Sequence, residues 1–283
     1  MINKENTYNP LDKIGVFYFS ATNNTAIMAK FISKQLKILQ KNLFVDEIDI
    51  TNYSKRHNKM DISQYDAIFF GFPVYAWRAP AVAREWLQTL DGNGKKCSVF
   101  FTYGGVKTGA AHYDITQLLE VQNFEVVSTA EYVCKHTYNC GGWGVMENRP
   151  NQSDFEIAEE YVRSTYNKFE SNQNEKLQID NPRISDRILK RLETSVKKII
   201  KPPSRKGEDC SLCKKCEENC PTNAMDSNLG EANQYLCIRC YRCFINCPEK
   251  VLKIEDLYPA KLIIGSLERM PTEEDLVKSK IFL

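Results

Sequence analysis

The sequence predicts an α/β chain in which a doubly wound, five-stranded parallel sheet is followed by a small second domain built around cysteine. Three observations carry that expectation. From Ile14 to about Val133, short β-rich apolar runs alternate with amphipathic stretches, the pattern of parallel strands joined by crossover helices. The chain has 283 residues, which at roughly 150 per domain makes two domains the natural division. Of its eleven cysteines, eight fall between Cys210 and Cys247. A composition of 42% hydrophobic and 26% charged residues is ordinary globular usage and excludes a disordered or collagenous chain.

The strand candidates are Ile14 to Phe19, Leu43 to Ile50, Asp66 to Phe72, Cys97 to Tyr103 and Phe124 to Val133. Between them, Met28, Ile32, Leu36 and Leu39 repeat at helical spacing, as do Val82, Trp86 and Leu90, and then Ile115, Leu118 and Leu119. These stripes read as core faces. Phe155, Ala158, Val162 and Phe169 mark a helix that closes the first domain, which is expected to span residues 1–170. Ser171 to Lys176 is polar and reads as a linker. Beyond Pro182, Ile184, Ile188, Leu192, Val196 and Ile199 lie on one stripe of a helix that Pro202-Pro203 ends. Its other faces are basic, through Arg183, Arg187, Lys190, Arg191, Lys197 and Lys198, and form either a solvated surface or a docking patch for an acidic partner. Linker and helix occupy residues 171–206, the cysteine domain 207–256, and residues 257–283 form a tail with no specific sequence signal.

Thirty-eight Lys and Arg against 36 Asp and Glu give a formal charge of +2, too balanced for a protein that binds nucleic acid by neutralising phosphates. Met1 to Lys13 is polar, and no apolar run approaches the roughly 18 residues of a membrane span, so neither an export signal nor a membrane partner is expected. The expected compartment is the cytoplasm, where closely spaced thiols hold metal rather than one another.

The cysteine spacing is Cys210-x2-Cys213-x2-Cys216-x3-Cys220-Pro221, and every member recurs 27 positions later in Cys237-x2-Cys240-x2-Cys243-x3-Cys247-Pro248. Such a repeat implies a pseudo-twofold unit. Zinc sites also use short Cys-x2-Cys pairs, but a tetrahedral site would leave the doubled third and fourth cysteines unexplained. The double run resembles the bacterial-type two-cluster [4Fe-4S] ferredoxins, in which three cysteines of one run and the fourth of the other hold each cube. The resemblance implies one cluster on Cys210, Cys213, Cys216 and Cys247, and a second on Cys237, Cys240, Cys243 and Cys220. Tyr235, Ile238, Tyr241 and Ile245 can cover two cubes but cannot make an independent core, so loss of iron should unfold this domain.

In an open α/β sheet, ligands bind beyond the carboxyl ends of the strands. Three loops at that edge stand out. Ser20-Ala21-Thr22-Asn23-Asn24-Thr25 follows the first strand and opens into a helix, gathering hydroxyls, amides and free N–H groups suited to an anion. It lacks the Lys of a Walker loop, so a phosphomonoester fits better than a triphosphate with magnesium. After the third strand come Gly71-Phe72-Pro73-Val74-Tyr75-Ala76-Trp77-Arg78-Ala79-Pro80, and after the fourth Thr102-Tyr103-Gly104-Gly105, loops suited to a flat ring between aromatics.

Through these loops, Ile14 to about Glu170 resembles the flavodoxin family. The resemblance implies strand order 2-1-3-4-5, bound FMN with Ser20, Thr22, Asn23, Asn24 and Thr25 around its phosphate, and Pro73, Val74, Tyr75, Trp77, Thr102, Tyr103, Gly104 and Gly105 around its ring. Where flavodoxins commonly carry Gly, this chain has Asn23, a residue that tolerates left-handed backbone better than most. Gly92-Asn93-Gly94 precedes a strand, whereas dinucleotide-binding glycines follow one, so no nicotinamide site is expected. Cys97 reads as core, Cys134 and Cys140 as packing and loop residues near the ligand edge, and His57 and His112 as surface or helix-start residues.

Together the two resemblances imply the fused flavodoxin and ferredoxin proteins of anaerobes. The expected function is electron transfer between a redox-protein donor or acceptor and FMN through two [4Fe-4S] clusters. Two other readings stand beside it: a ferredoxin-dependent reductase that passes hydride from the flavin to a small-molecule acceptor near Tyr75, Trp77, Tyr103 and His136, and a redox or iron sensor.

Overall fold

The computed structural model describes residues 11–58, 60–171, 177–207, 209–267, 270–271 and 277–283. The polar first ten residues and positions 172–176 of the expected linker lie outside the described residues. The chain runs β1 (Lys13–Tyr18), α1 (Asn24–Leu39), β2 (Phe44–Asp49), α2 (Tyr53–His57), β3 (Ala67–Pro73), α3 (Ala81–Leu87), β4 (Lys96–Tyr103), α4 (Ala111–Val121), β5 (Glu125–Val133), α5 (Gln152–Glu170) and α6 (Asp186–Ile199). The cysteine segment follows with α7 (Lys215–Glu218), the two-residue strands β6 (Met225–Asp226) and β7 (Glu231–Ala232), and α8 (Arg242–Ile245). Last come α9 (Tyr258–Leu267) and β8 (Lys280–Phe282).

β2, β1, β3, β4 and β5 are parallel in that order, with crossovers through the helices. Alternation along each strand splits the apolar residues between two faces. On one, Phe17, Ile68, Phe70, Phe72, Val99 and Phe101 pack under Trp86, Leu87, Ile115 and Leu119. On the other, Ile14, Val16, Phe69, Phe100 and Tyr132 meet Met28, Ile32, Leu36, Tyr161 and Phe169.

Among the described residues the sheet has six strands rather than the expected five. β8, from the tail that carries no specific sequence signal, pairs antiparallel with β5 through Thr129–Phe282, Ala130–Ile281 and Glu131–Lys280. Buried Ser279 anchors it: its hydroxyl accepts the Val133 N–H at 2.9 Å and donates to Asp154. Asp154 also closes the capping box of α5 and pairs with Arg149. A parallel edge that would otherwise present unpaired backbone groups is thereby covered.

The buried face of α6 keeps Val196 and Ile199 of the expected stripe but takes Leu189 in place of Ile188. Leu189 is 3% exposed while Ile188 is 50% exposed. The helix is fixed through ion pairs to the sheet domain, Asp186 with Arg78 at 2.8 Å and Glu193 with Arg84, and these select the face turned inward. His112 begins α4 but is not a surface residue: its ring bonds Thr129 at 2.9 Å and Glu131 at 3.2 Å, both buried. Among the described residues, no helix is long and apolar enough to cross a membrane.

Candidate functional site

The three loops gather at the carboxyl edge of the sheet. In the first, Asn23 takes φ 74° and makes no side-chain cap to α1. The first-turn N–H groups of a helix have no partner within it, so this end is left with donors for an anion. Ser20 is buried, and its Oγ accepts the Ala26 N–H at 3.0 Å while its own N–H donates to Thr51 Oγ1 at 2.7 Å. Thr25 is also buried, 2.8 Å from the Thr102 hydroxyl, which ties the first loop to the end of β4. Thr22 lies 3.4 Å from Thr137, and Asn24 donates to the Lys135 carbonyl at 2.6 Å. A fourth segment, Lys135 to Thr137, therefore joins the three loops; only His136 in it carried a sequence signal.

The β3 loop is a tight hairpin in which Tyr75 and Arg78 exchange backbone hydrogen bonds of 2.8 and 3.2 Å. Its two central residues, Ala76 at φ 48° and Trp77 at φ 68°, occupy a region that such turns normally give to Gly or Asn. Strain of this kind persists only where the surroundings impose it. Here the Trp77 carbonyl accepts from Ala110 at 3.0 Å, Lys107 sits 3.9 Å over its ring, and Arg78 is held by Asp114 and Asp186. Pro73 and Val74 lead into this hairpin, and the Val74 N–H donates to the Thr102 carbonyl at 2.9 Å. Tyr103 is buried, and Gly105 has φ 83°. At Gly104 a side chain would collide with the His136 ring, so glycine there admits the close approach.

His136 stacks on Trp143 at 4.6 Å, and burial, with Lys261 nearby, holds it down to about 4, so it is neutral near pH 7. Burial raises the Cys134 thiol strongly and pushes Cys140 up to about 11, which keeps both protonated and unreactive at neutral pH. Cys97 is fully buried in the sheet core.

In the cysteine segment the thiols fall into two groups. Cys210, Cys213, Cys216 and Cys247 line one cavity, with Met225, Pro248 and Leu252. Cys220, Cys237, Cys240 and Cys243 line the other, with Pro203, Pro221 and Ile238. Each cavity thus takes three thiols from one run and one from the other. The four ring a space instead of converging: among the described residues, no three His, Cys, Asp or Glu side chains are placed to hold a single metal ion.

The chemistry of the donors suits a cationic or cluster ligand. Burial pushes Cys240 up to about 12 and raises Cys243 strongly, so neither becomes a thiolate without a compensating positive charge. At Cys247, burial also opposes the thiolate, but backbone N–H groups of Leu252, Val251, Glu249 and Lys250 outweigh it and hold the thiol below its usual value. Ala224 N–H likewise reaches Cys220 Sγ at 3.2 Å. Such N–H to sulfur bonds tune iron-sulfur centres.

The two groups stand differently toward the sheet edge. Cys213 is exposed. Cys240 is buried against the sheet-domain core, alongside Ile238, Val74 and Tyr75. Burial, with the Cys240 thiol and Tyr138 close by, raises Tyr75 well above the usual tyrosine value. Tyr241 meets Tyr138 edge-on at 5.6 Å, and Tyr138 meets Trp143 at 5.1 Å and His136 at 5.3 Å. Arg56 of α2 donates to the Pro221 carbonyl, and Arg242 to the carbonyls of Ser20 and Ala21. Tyr138, Trp143 and Arg242 carried no sequence signal for a site, because what they do follows from the packing of distant segments.

A flavodoxin domain family model matches residues 15–129. An uncharacterised protein of Methanocaldococcus jannaschii is 28% identical over 146 residues, covering 50% of this chain and 89% of that protein. A flavodoxin of Haemophilus influenzae is 34% identical over 93 residues, 31% of this chain and 48% of that protein. A flavodoxin of Synechocystis is 30% identical over 96 residues, 32% of this chain and 51% of that protein, so the chain spans about half the length of both flavodoxins. Among solved structures, a flavodoxin from the domain Archaea has a TM-score of 0.43 at 19% identity, covering 56% of this chain and 98% of that one. The family match ends before the first of the eight clustered cysteines. Residues 15–129 form a flavodoxin-like domain.

Proposed function

We propose that the chain is an electron-transfer flavo-iron-sulfur protein. FMN binds at the carboxyl edge of the sheet, and residues 207–256 form a ferredoxin-type domain with two [4Fe-4S] clusters. The observation that carries this reading is the pair of four-cysteine cavities, one of them packed against the loops of the flavodoxin-like domain. When bound, FMN supplies one- and two-electron chemistry, and each cluster exchanges one electron.

Each part of the chain has a defined task in this reading. The α1 N-terminus with Thr22 and Asn24 receives the phosphate, while Tyr75, Trp77 and Tyr103 with Gly104 and Gly105 receive the ring. The thiols of Cys210, Cys213, Cys216 and Cys247 hold the cluster nearer solvent, since Cys213 is exposed. Those of Cys220, Cys237, Cys240 and Cys243 hold the inner one. Tyr138, Trp143 and His136 fill the space beside it and exclude water. The partner is a redox protein that exchanges single electrons at the exposed cluster.

Anaerobic reconstitution tests this directly. About eight irons, eight sulfides and one FMN per chain are expected from two cubane clusters and one flavin. Stoichiometric zinc, with no sulfide and no flavin retained, would reject it.

A further inference from the structure

Arg242 lies between Cys240 and Cys243, yet its side chain acts in the other half of the molecule. Its Nη1 donates to the Ser20 carbonyl at 2.8 Å and to the Ala21 carbonyl at 3.3 Å, at the start of the β1–α1 loop. A peptide unit is planar and trans, so fixing its carbonyl on one side fixes its N–H on the other. One guanidinium thereby orients the N–H groups of Ala21 and Thr22, two donors at the base of the anion loop. Its Nε is buried and has no partner among the described residues, which leaves a further donor beside that loop. The loop's own polar side chains, Ser20, Thr22, Asn23, Asn24 and Thr25, are all neutral, and Arg242 brings a cation to them.

The position of Arg242 depends in turn on the cysteine loop. Arg239 and Tyr241 both hold left-handed backbone, at φ 60° and 56°. Around them, Arg239 Nε donates to the Ile200 carbonyl at 2.7 Å, and Tyr241 Oη to the Lys201 carbonyl at 3.1 Å. Ligation of Cys240 and Cys243 would pin this short stretch at both ends.

We infer that Arg242 is a positioning residue of the FMN phosphate site, so that loading of the inner cluster and binding of FMN are thermodynamically coupled. The inference rests on the electron-transfer reading above. By linkage the coupling is reciprocal: iron at Cys220, Cys237, Cys240 and Cys243 raises FMN affinity, and FMN raises retention of that iron by the same factor.

The test compares two flavins, because riboflavin has the ring of FMN but no phosphate. Flavin-free, iron-loaded full chain is titrated with each under anaerobic conditions, following quenching of flavin fluorescence. In Arg242→Ala the ratio of FMN to riboflavin affinity should fall about 10-fold, the size expected when hydrogen bonds from a charged group are lost. Arg242→Lys should recover part of it. Wild-type protein stripped of iron should show a shift in the same direction. An unchanged ratio in Arg242→Ala overturns the inference, and so does a parallel loss of both flavins, the mark of a merely structural role. If wild-type protein binds neither flavin, the functional reading itself fails, and the wild-type titration alone reveals that.

Discussion

The sheet domain and the cysteine segment place their ligands in opposite relation to their cores. In the sheet domain, two apolar layers are complete without a ligand, and the flavin loops sit at their rim. In the cysteine segment, the apolar cluster that the segment forms by itself is Cys220, Ala224, Met225, Cys237, Cys243 and Leu252, half of it cysteine. Regular structure among its described residues amounts to two four-residue helices and two two-residue strands. A unit of this size cannot bury enough apolar surface of its own to offset its conformational entropy, and in the proposed function the clusters held by its thiols supply the difference. In the proposed function, one half carries its cofactor as cargo and the other is built on it.

The largest expected effect tests that contrast. Chelation of iron under anaerobic conditions should expose residues 209–256 to protease while the sheet domain keeps its far-ultraviolet circular dichroism. Equal loss of both halves would erase the difference between them. A sharper version separates the two cavities. Cys220→Ser should remove the cluster whose other thiols are Cys237, Cys240 and Cys243, although Cys220 is nearer in sequence to Cys216; electron paramagnetic resonance of the remaining cluster reads the outcome. Loss confined to the cluster of Cys210, Cys213 and Cys216 would contradict the grouping. A smaller effect belongs to the rim site. Thr22→Ala should weaken FMN by roughly 10- to 150-fold, the range for one hydrogen bond to a charged phosphate, with iron content unchanged. Unaltered FMN affinity would move the phosphate elsewhere.

Elements that follow from local pattern were readable in the sequence, and those made by distant packing were not. All five parallel strands lie within a residue or so of their expected runs, and the central ones, β1, β3 and β4, are buried on both faces and so read as near-continuous apolar runs. The left-handed turn at Asn23 was also readable, from the tolerance of its side chain for that backbone. β8 was not: three residues are too short for periodicity, and its place depends on Ser279 bridging Val133 and Asp154. The inward turn of Leu189 in place of Ile188 depends on ion pairs with Arg78 and Arg84, which no helical stripe encodes. Glu131 did carry a signal, a carboxylate in the middle of a buried strand, and the structure gives it His112, Thr108 and Lys280 as partners. Arg242 carried none, since its contacts are more than 220 residues away.

The central claim is that electrons reach the flavin site through the cysteine segment, and rapid-mixing absorbance at the flavin band tests it most directly. Reduced ferredoxin should reduce the bound FMN quickly, whereas NADPH alone should do so slowly or not at all. Cys213→Ser, which disables the exposed cavity, should lose the fast reaction with the protein donor while its FMN stays reducible by dithionite. Fast reduction of FMN by NADPH in protein stripped of iron would contradict the account and assign the flavin to direct pyridine-nucleotide chemistry.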